Sequence, residues 1–246
     1  DEGSIGGTVI IHTRRPFELE SNTLQASLEG IYSQLPDEWD PQGSVLGSWK
    51  NDVQTLGVLA SVNYQSRSVR RDGLEAFPDN NLYTVTDSGG NQTDNVHVPW
   101  GIGSAIFQQQ RPRITGNVTV QWAPTDRWDL VLNSVYSSMD MDNQDQNYLS
   151  IPGGFKFAEQ PAPTVDTPRF IEADSGNKIL ASGIVGNPNS PGAAIDAIFR
   201  ESYIEAQTYD LDANYHGDDW NLHWQLGATR ADGGSDHDRL YRFVGN

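Results

Sequence analysis

Residues 114–136 read Ile-Thr-Gly-Asn-Val-Thr-Val-Gln-Trp-Ala-Pro-Thr-Asp-Arg-Trp-Asp-Leu-Val-Leu-Asn-Ser-Val-Tyr, the clearest pattern in the chain. Ile114, Gly116, Val118, Val120 and Trp122 alternate with Thr115, Asn117, Thr119 and Gln121. A period of two places each set on its own face of a β-strand. A short turn, Ala123-Pro124-Thr125-Asp126-Arg127, leads to a second run with Trp128, Leu130, Leu132, Ser134 and Tyr136 on one face. A tryptophan therefore flanks each side of the turn. Apolar residues outside, polar ones inside and aromatics at the rim mark a strand pair of an outer-membrane barrel. A soluble sandwich would turn the same apolar face to a core.

The same alternation recurs on both sides. Leu24, Ala26, Leu28, Gly30 and Tyr32 form one run, Val45, Gly47 and Trp49 a second, and Leu56, Val58, Ala60, Val62 and Tyr64 a third. Further on, Tyr209, Leu211, Ala213 and Tyr215 precede the turn at His216-Gly217-Asp218-Asp219, and Trp220, Leu222, Trp224, Leu226 and Ala228 follow it. About seven strands result. Their connections alternate between tight turns near Asn51, Thr125 and Gly217 and longer polar stretches, with Trp49, Trp122, Trp128, Tyr215 and Trp220 beside the tight turns. Short turns at one end with an aromatic belt favour the membrane barrel over the sandwich. Periodicity vanishes over about 76–110 and 143–200, which read as long loops. Within the second, Pro191 followed by Ala194, Ile195, Ile198 and Phe199 suggests one helix.

Bulk composition excludes several classes. The 246 residues carry a formal charge of −17 and no cysteine. So acidic a chain does not suit nucleic acid, and disulfides, zinc–thiolate sites and cysteine nucleophiles are ruled out. Mean hydropathy is −0.56, and no run reaches the length of a membrane helix. No signal peptide is visible, and an opening on Asp1-Glu2-Gly3 without methionine reads as a processed or partial chain.

Ile5-Gly6-Gly7-Thr8-Val9-Ile10-Ile11-His12-Thr13-Arg14-Arg15-Pro16 runs from flexible glycines into a β-branched strand ended by proline. It resembles the last plug strand of TonB-dependent outer-membrane transporters, just before the barrel. Lys50-Asn51, Leu56-Gly57-Val58-Leu59 and Arg70-Arg71-Asp72-Gly73 resemble early barrel strands of the large-looped members found in xanthomonads and caulobacters. The resemblance implies an all-β, antiparallel transmembrane barrel of about 22 strands around an N-terminal plug. Residues 1–16 would then end the plug, and 17–246 would form the N-terminal part of the barrel with long extracellular loops. Most of the plug, the TonB box and about two thirds of the barrel would lie outside this chain. The implied setting is the outer membrane of a Gram-negative bacterium. The implied partners are outer-membrane lipid, the remaining portion of the same barrel, the TonB–ExbB–ExbD complex acting through the missing N-terminal part, and a surface lipoprotein on the loops. The implied work is energised uptake of a scarce nutrient. An oligosaccharide leads, because large-looped relatives are often linked to carbohydrate uptake, and a ferric siderophore is the alternative. Two other classes are a porin-like channel, which a plug strand disfavours, and a soluble carbohydrate-binding protein or glycosidase using Asp210 and Asp212.

Candidate site residues follow from side-chain chemistry. Trp100, Tyr148, Phe155 and Phe157 lie in or near the expected external loops, as do Trp39 and Phe170. Their faces would stack on sugar rings or staple the loops into a lid. Arg70 and Arg71 would bind an anion, or pair with Asp72 and Glu75. Asp140, Asp142 and Asp145 gather hard oxygen ligands suited to calcium, without the glycine and distal glutamate of an EF-hand loop. His216 and His223 flank one turn but lack a third ligand. No nucleophile or phosphate-loop motif appears, so the chain is not read as an enzyme.

Overall fold

The computed structural model describes residues 13–159, 161–186 and 192–245. The strand expected over Ile5 to Pro16 lies mostly outside them. Thirteen strands are present among the described residues: β1 (Thr23–Ser33), β2 (Glu38–Lys50), β3 (Leu56–Gln65), β4 (Ser68–Phe77), β5 (Tyr83–Asp87), β6 (Gln92–His97), β7 (Gly101–Gln110), β8 (Arg113–Trp122), β9 (Trp128–Ser150), β10 (Thr164–Glu172), β11 (Lys178–Gly186), β12 (Ala193–His216) and β13 (Asn221–Gly245). The protein is all-β, and its large sheet is antiparallel.

The seven strands read from periodicity are β1, β2, β3, β8, β9, β12 and β13, and they lie side by side in that order in the large sheet. Tight turns join them at one end. The Asn51 side chain accepts from the backbone N–H of Thr55 at 2.8 Å and of Leu56 at 3.1 Å, standing in for a turn hydrogen bond. At the β12–β13 turn a Cβ on Gly217 would meet the Trp220 carbonyl oxygen at 2.8 Å, so the close approach demands glycine.

Register carries one parity across the sheet. Val45 pairs with Val62, Ala60 with Val118, Val120 with Leu132, Leu132 with Leu211 and Leu211 with Leu226. Directly paired residues share a face, so the apolar rows of all seven strands fall on one side. That side is uncovered: Leu24 and Leu28 are 80% and 85% exposed. On the opposite side Thr119 is 0% and Gln121 5% exposed. This inverts the layout of a soluble sandwich. Aromatic rings gather at the tight-turn end, where Trp128 lies 4.8 Å from Tyr215 and Tyr215 lies 5.0 Å from Trp220. A second group, Tyr32 with Trp39 at 5.4 Å, sits at the other end of β1 and β2. From Trp39 to Trp49 the strand rises roughly 33 Å. At the usual barrel tilt this spans about 25 Å, the height of an outward apolar band.

The strands run on beyond that band. β4 pairs with β7 in the register already set by β3 and β8, and β7 pairs with the upper half of β9. Pro112, which has no N–H to donate, interrupts the ladder opposite Ser66–Arg67. Arg111 N still donates to the Arg67 carbonyl at 2.9 Å, so the strands stay joined. Above Tyr136 the chain is polar on both faces, which is why alternation disappears while the ladder continues.

The stretches 76–110 and 143–200, read as loops, are therefore largely strand. Their middles, β5–β6 and β10–β11, are two hairpins that pair in parallel with each other and close a four-stranded barrel. Tyr83, Val85, Val96, Val98, Phe157, Val165 and Leu180 fill it. In this cap the Asn81 backbone N–H and the Tyr83 hydroxyl hold the Asp79 carboxyl below its ordinary range. The helix expected around Ala194 to Phe199 is instead the start of β12, paired residue for residue with β9 from Ala193↔Ser150 onward; Pro191 itself lies outside the described residues. Trp39, expected in a loop, is in β2.

Substituting arginine for Val118 or Leu222 on the outward face is expected to cost roughly 2–4 kcal/mol when the protein is unfolded from lipid vesicles with denaturant. A face bathed in water would lose less than about 0.5 kcal/mol.

Candidate functional site

The polar side of the sheet is a wall lined by Thr119, Gln121, Asp129, Asn133, Asp210 and Asp212. Each sits at the even or odd position opposite to its apolar neighbours, so the alternation that exposes leucine and tryptophan also assembles this wall. Thr119 Oγ1 donates to Asn133 Oδ1 at 2.6 Å, and Gln121 Nε2 donates to Asp129 Oδ1 at 2.8 Å.

Residues 13–19 are laid along the wall. Thr13 Oγ1 donates to Asn133 Oδ1 at 3.2 Å, and Phe17 N donates to Gln121 Oε1 at 3.1 Å. Arg15 reaches two carboxylates, Asp212 at 3.1 Å and Asp129 at 3.6 Å. Asn214 Nδ2 also donates to Asp212, at 2.7 Å. The ammonium of Lys50 donates to the Leu19 carbonyl. Pro16 and Phe17 lie flat over Gly57, where a Cβ would come within 2.6 Å of the proline ring. The carboxylate pair weighed for a glycosidase is thus committed elsewhere: Asp212 anchors Arg15, and Asp210 accepts from Gln225 at 3.0 Å. A trough of about 700 Å³ along β1, β2 and β3 is lined by the polar Arg14, Gln25, Ser27, Ser44, Ser61 and Asn63 together with aliphatic residues, Leu46 among them.

The residues singled out from sequence disperse. Trp100 immediately precedes β7 at the neck between sheet and cap. Its backbone N donates to Phe77 O at 2.9 Å, its carbonyl accepts from Gly153 N at 3.1 Å, and its ring meets Phe77 edge-on at 5.9 Å. Phe157 is 5% exposed in the cap core, 6.4 Å from Tyr83. Both rings pack against other aromatic rings of the protein. Phe155 falls in the short turn Gly154–Ala158, with its side chain outside the described part of the structure. Tyr148 stays open near the top of β9, 47% exposed and paired with Ile195. Arg70 bonds Asp72 at 2.9 Å and Arg71 bonds Glu75 at 2.6 Å. Both guanidiniums are thus held by the acids beside them rather than free for an anion. Asp140, Asp142 and Asp145 do not converge: they extend along β9, where Asp145 points to the face opposite the other two. Among the described residues no group of three or more His, Asp or Glu side chains is placed to hold a metal ion.

One recess went unseen in the sequence. Gln108, Gln110, Asn143, Gln144, Phe199 and Glu201 line a hollow of about 430 Å³ where β7, β9 and β12 pass above the apolar band; by register all but Asn143 lie on the outward side of the sheet, the side of Val120 and Leu132, and not on the polar wall. Amide and carboxylate groups there can donate to and accept from hydroxyls, and Phe199 is half-exposed. Its signal in sequence is the run Gln108-Gln109-Gln110 and the Asn–Gln stretch at 143–147, which polar loops also carry.

No protein-family model, no curated protein and no solved structure matches this chain.

Replacing Gly57 with valine is expected to drive Pro16 and Phe17 off the wall. Trypsin should then cleave after Arg14 at least tenfold faster than in the parent protein, with the strand content unchanged by circular dichroism.

Proposed function

We propose that the protein forms part of an outer-membrane β-barrel of the TonB-dependent kind and takes up an oligosaccharide across the outer membrane. The observation that carries this reading is the inverted sheet. Seven strands present an uncovered apolar face about 25 Å tall, bounded by aromatic rings, while threonine, glutamine and carboxylates are buried on the other side. Backbone groups in lipid need internal partners, and a continuous ladder supplies them.

Two further observations fit. The segment that ties into the polar wall at Thr13, Arg15 and Phe17 is the end of the run that resembles a plug's last strand, and a plug must connect to its barrel along such an inner wall. The strands also extend beyond the apolar band into a folded cap, so the site of first contact with a nutrient stands clear of the bilayer. On the polar wall, the directly paired Asn63, Thr115 and Ser137 offer hydrogen bonds in both directions, as sugar hydroxyls require. The remaining barrel strands, the coupling to TonB–ExbB–ExbD and a surface lipoprotein belong to the same proposal.

Fractionating cells that produce the full-length protein tests it. The protein is expected in the outer-membrane fraction, soluble only in detergent and with heat-modifiable migration, and its deletion should abolish energised uptake of one oligosaccharide class. A monodisperse product in buffer without detergent would overturn the reading and return the fold to a soluble sugar-binding sheet.

A further inference from the structure

Three arginines that lie far apart in sequence meet at the top of the polar wall. Arg67 and Arg111 are joined across the interruption made by Pro112, with Arg111 N donating to Arg67 O at 2.9 Å. Arg113 pairs with Gln65 on β3 and with Met139 on β9. Gln65 continues the polar row of Ser61 and Asn63, so Arg113 and Met139 lie on the wall side. All five side chains line one recess of about 250 Å³.

The acceptors that Arg67 and Arg113 contact are neutral. Arg67 donates to the Ser66 carbonyl at 3.0 Å and to Gln42 Oε1 at 3.0 Å. Arg113 donates only to the Met139 sulfur, at 3.2 Å. Arg111 Nε is buried with no partner. None of the three appears in an ion pair among the described residues, although acids outnumber Lys and Arg 33 to 16 in the chain and Arg15, Arg70, Arg71, Arg127, Arg200 and Arg242 are each paired with a carboxylate. Like charges on adjacent strands repel, and an orphaned buried donor is costly. Both penalties are relieved by one anion bound between the guanidinium forks, whose geometry matches carboxylate and sulfate oxygens.

The recess opens onto the polar wall: two residues along from Gln65, Arg113 and Met139, the directly paired Asn63, Thr115 and Ser137 lie on the same face. Resting on the transport reading above, we infer that the ligand is an acidic oligosaccharide, a uronate or sulfate ester, with its hydroxyls on Asn63, Thr115 and Ser137 and its anionic group held by Arg67, Arg111 and Arg113.

The test is calorimetric titration of the detergent-solubilised full-length protein with tri-galacturonate, a sulfated trisaccharide, the methyl ester of tri-galacturonate, and inorganic sulfate. At least one acidic trisaccharide should bind ten times or more tighter than the neutral ester and than sulfate alone. Arg111→Gln and Arg113→Gln should each weaken it tenfold or more, and Arg111→Lys, which keeps the charge but loses the fork, by a smaller factor. Arg70→Gln, outside the recess, should leave it unchanged, and heat-modifiable migration of each variant reports that the barrel is intact. Equal binding of the neutral ester, binding of sulfate as tight as of the saccharide, no binding of either acidic sugar, or full affinity in the Arg111→Gln variant would each overturn the assignment. Those failures leave the outer-membrane location standing, whereas an acid-selective but detergent-independent protein would overturn the transporter and keep the arginine site.

Discussion

The structure depends on an unbroken register. Between β3 and β8, Leu56 faces Trp122. Twenty-one residues later Phe77 still faces Gly101, with no residue gained or lost across the interruption at Pro112. The β9–β12 ladder is as regular from Tyr215↔Trp128 to Ala193↔Ser150. Side chains alternate with a period of two, so a slip of one residue anywhere would send leucines to the wall and glutamines to the outside. On the proposed outer-membrane reading a bilayer would enforce this more strictly than water, because an unpaired peptide group or a polar side chain facing lipid has no solvent to fall back on. The tight turns at Asn51, Thr125 and Gly217 fix the count at the lower end. The one irregularity found in the β12–β13 ladder, between Glu201 and Ser202, lies in the polar upper zone, where a change of face costs little.

The same register creates the wall, and the wall determines how residues 13–19 lie. A single arginine spans Asp129 on β9 and Asp212 on β12, two adjacent strands whose like charges would otherwise repel. Arg15 therefore does two things at once: it neutralises the carboxylates and it pins the incoming chain. Gly57 completes the seat, since only a residue without a side chain lets Pro16 lie that close to the strand. The wall holds its segment by polar contacts and flat packing rather than by an apolar core. The apolar core that the described residues do form lies in the cap, remote from that segment.

Legibility in the sequence followed the contrast between the two faces. Where one face carries apolar side chains and the other polar ones, as from Ile114 to Tyr136, the alternation shows and all seven strands could be read. Above that level both faces carry polar side chains. Ser137 to Asn147 contain serine, aspartate, asparagine and glutamine in no periodic order, and nothing in their pattern distinguishes a ladder from a loop. Ala194, Ile195, Ile198 and Phe199 imitated a helical stripe because alternate faces of β12 there are both partly apolar: Ala194 packs inward at 2% exposure, while Ile195 and Phe199 remain open on the other side. The cap was hidden for a different reason. Its four strands are short, and two of its four pairings join segments about eighty residues apart. The arginine recess was hidden too, since Arg67, Arg111 and Arg113 become neighbours only when the hairpin of β3 and β8 is extended past Pro112.

Charge placement joins these levels. A strongly acidic chain can surround its few cations with carboxylates almost anywhere, and for Arg15, Arg70, Arg71, Arg127, Arg200 and Arg242 it does. Only neutral acceptors contact Arg67 and Arg113, and Arg111 keeps a donor with no acceptor at all. Burying a charge away from both water and counter-charge is expensive, and a strand interrupted by proline is free to accommodate other residues at that spot. Three guanidiniums converging there, at the end of the polar row of Asn63, Thr115 and Ser137, form a local field of opposite sign to the rest of the molecule. Such a field attracts anions that the surrounding acidic surface repels.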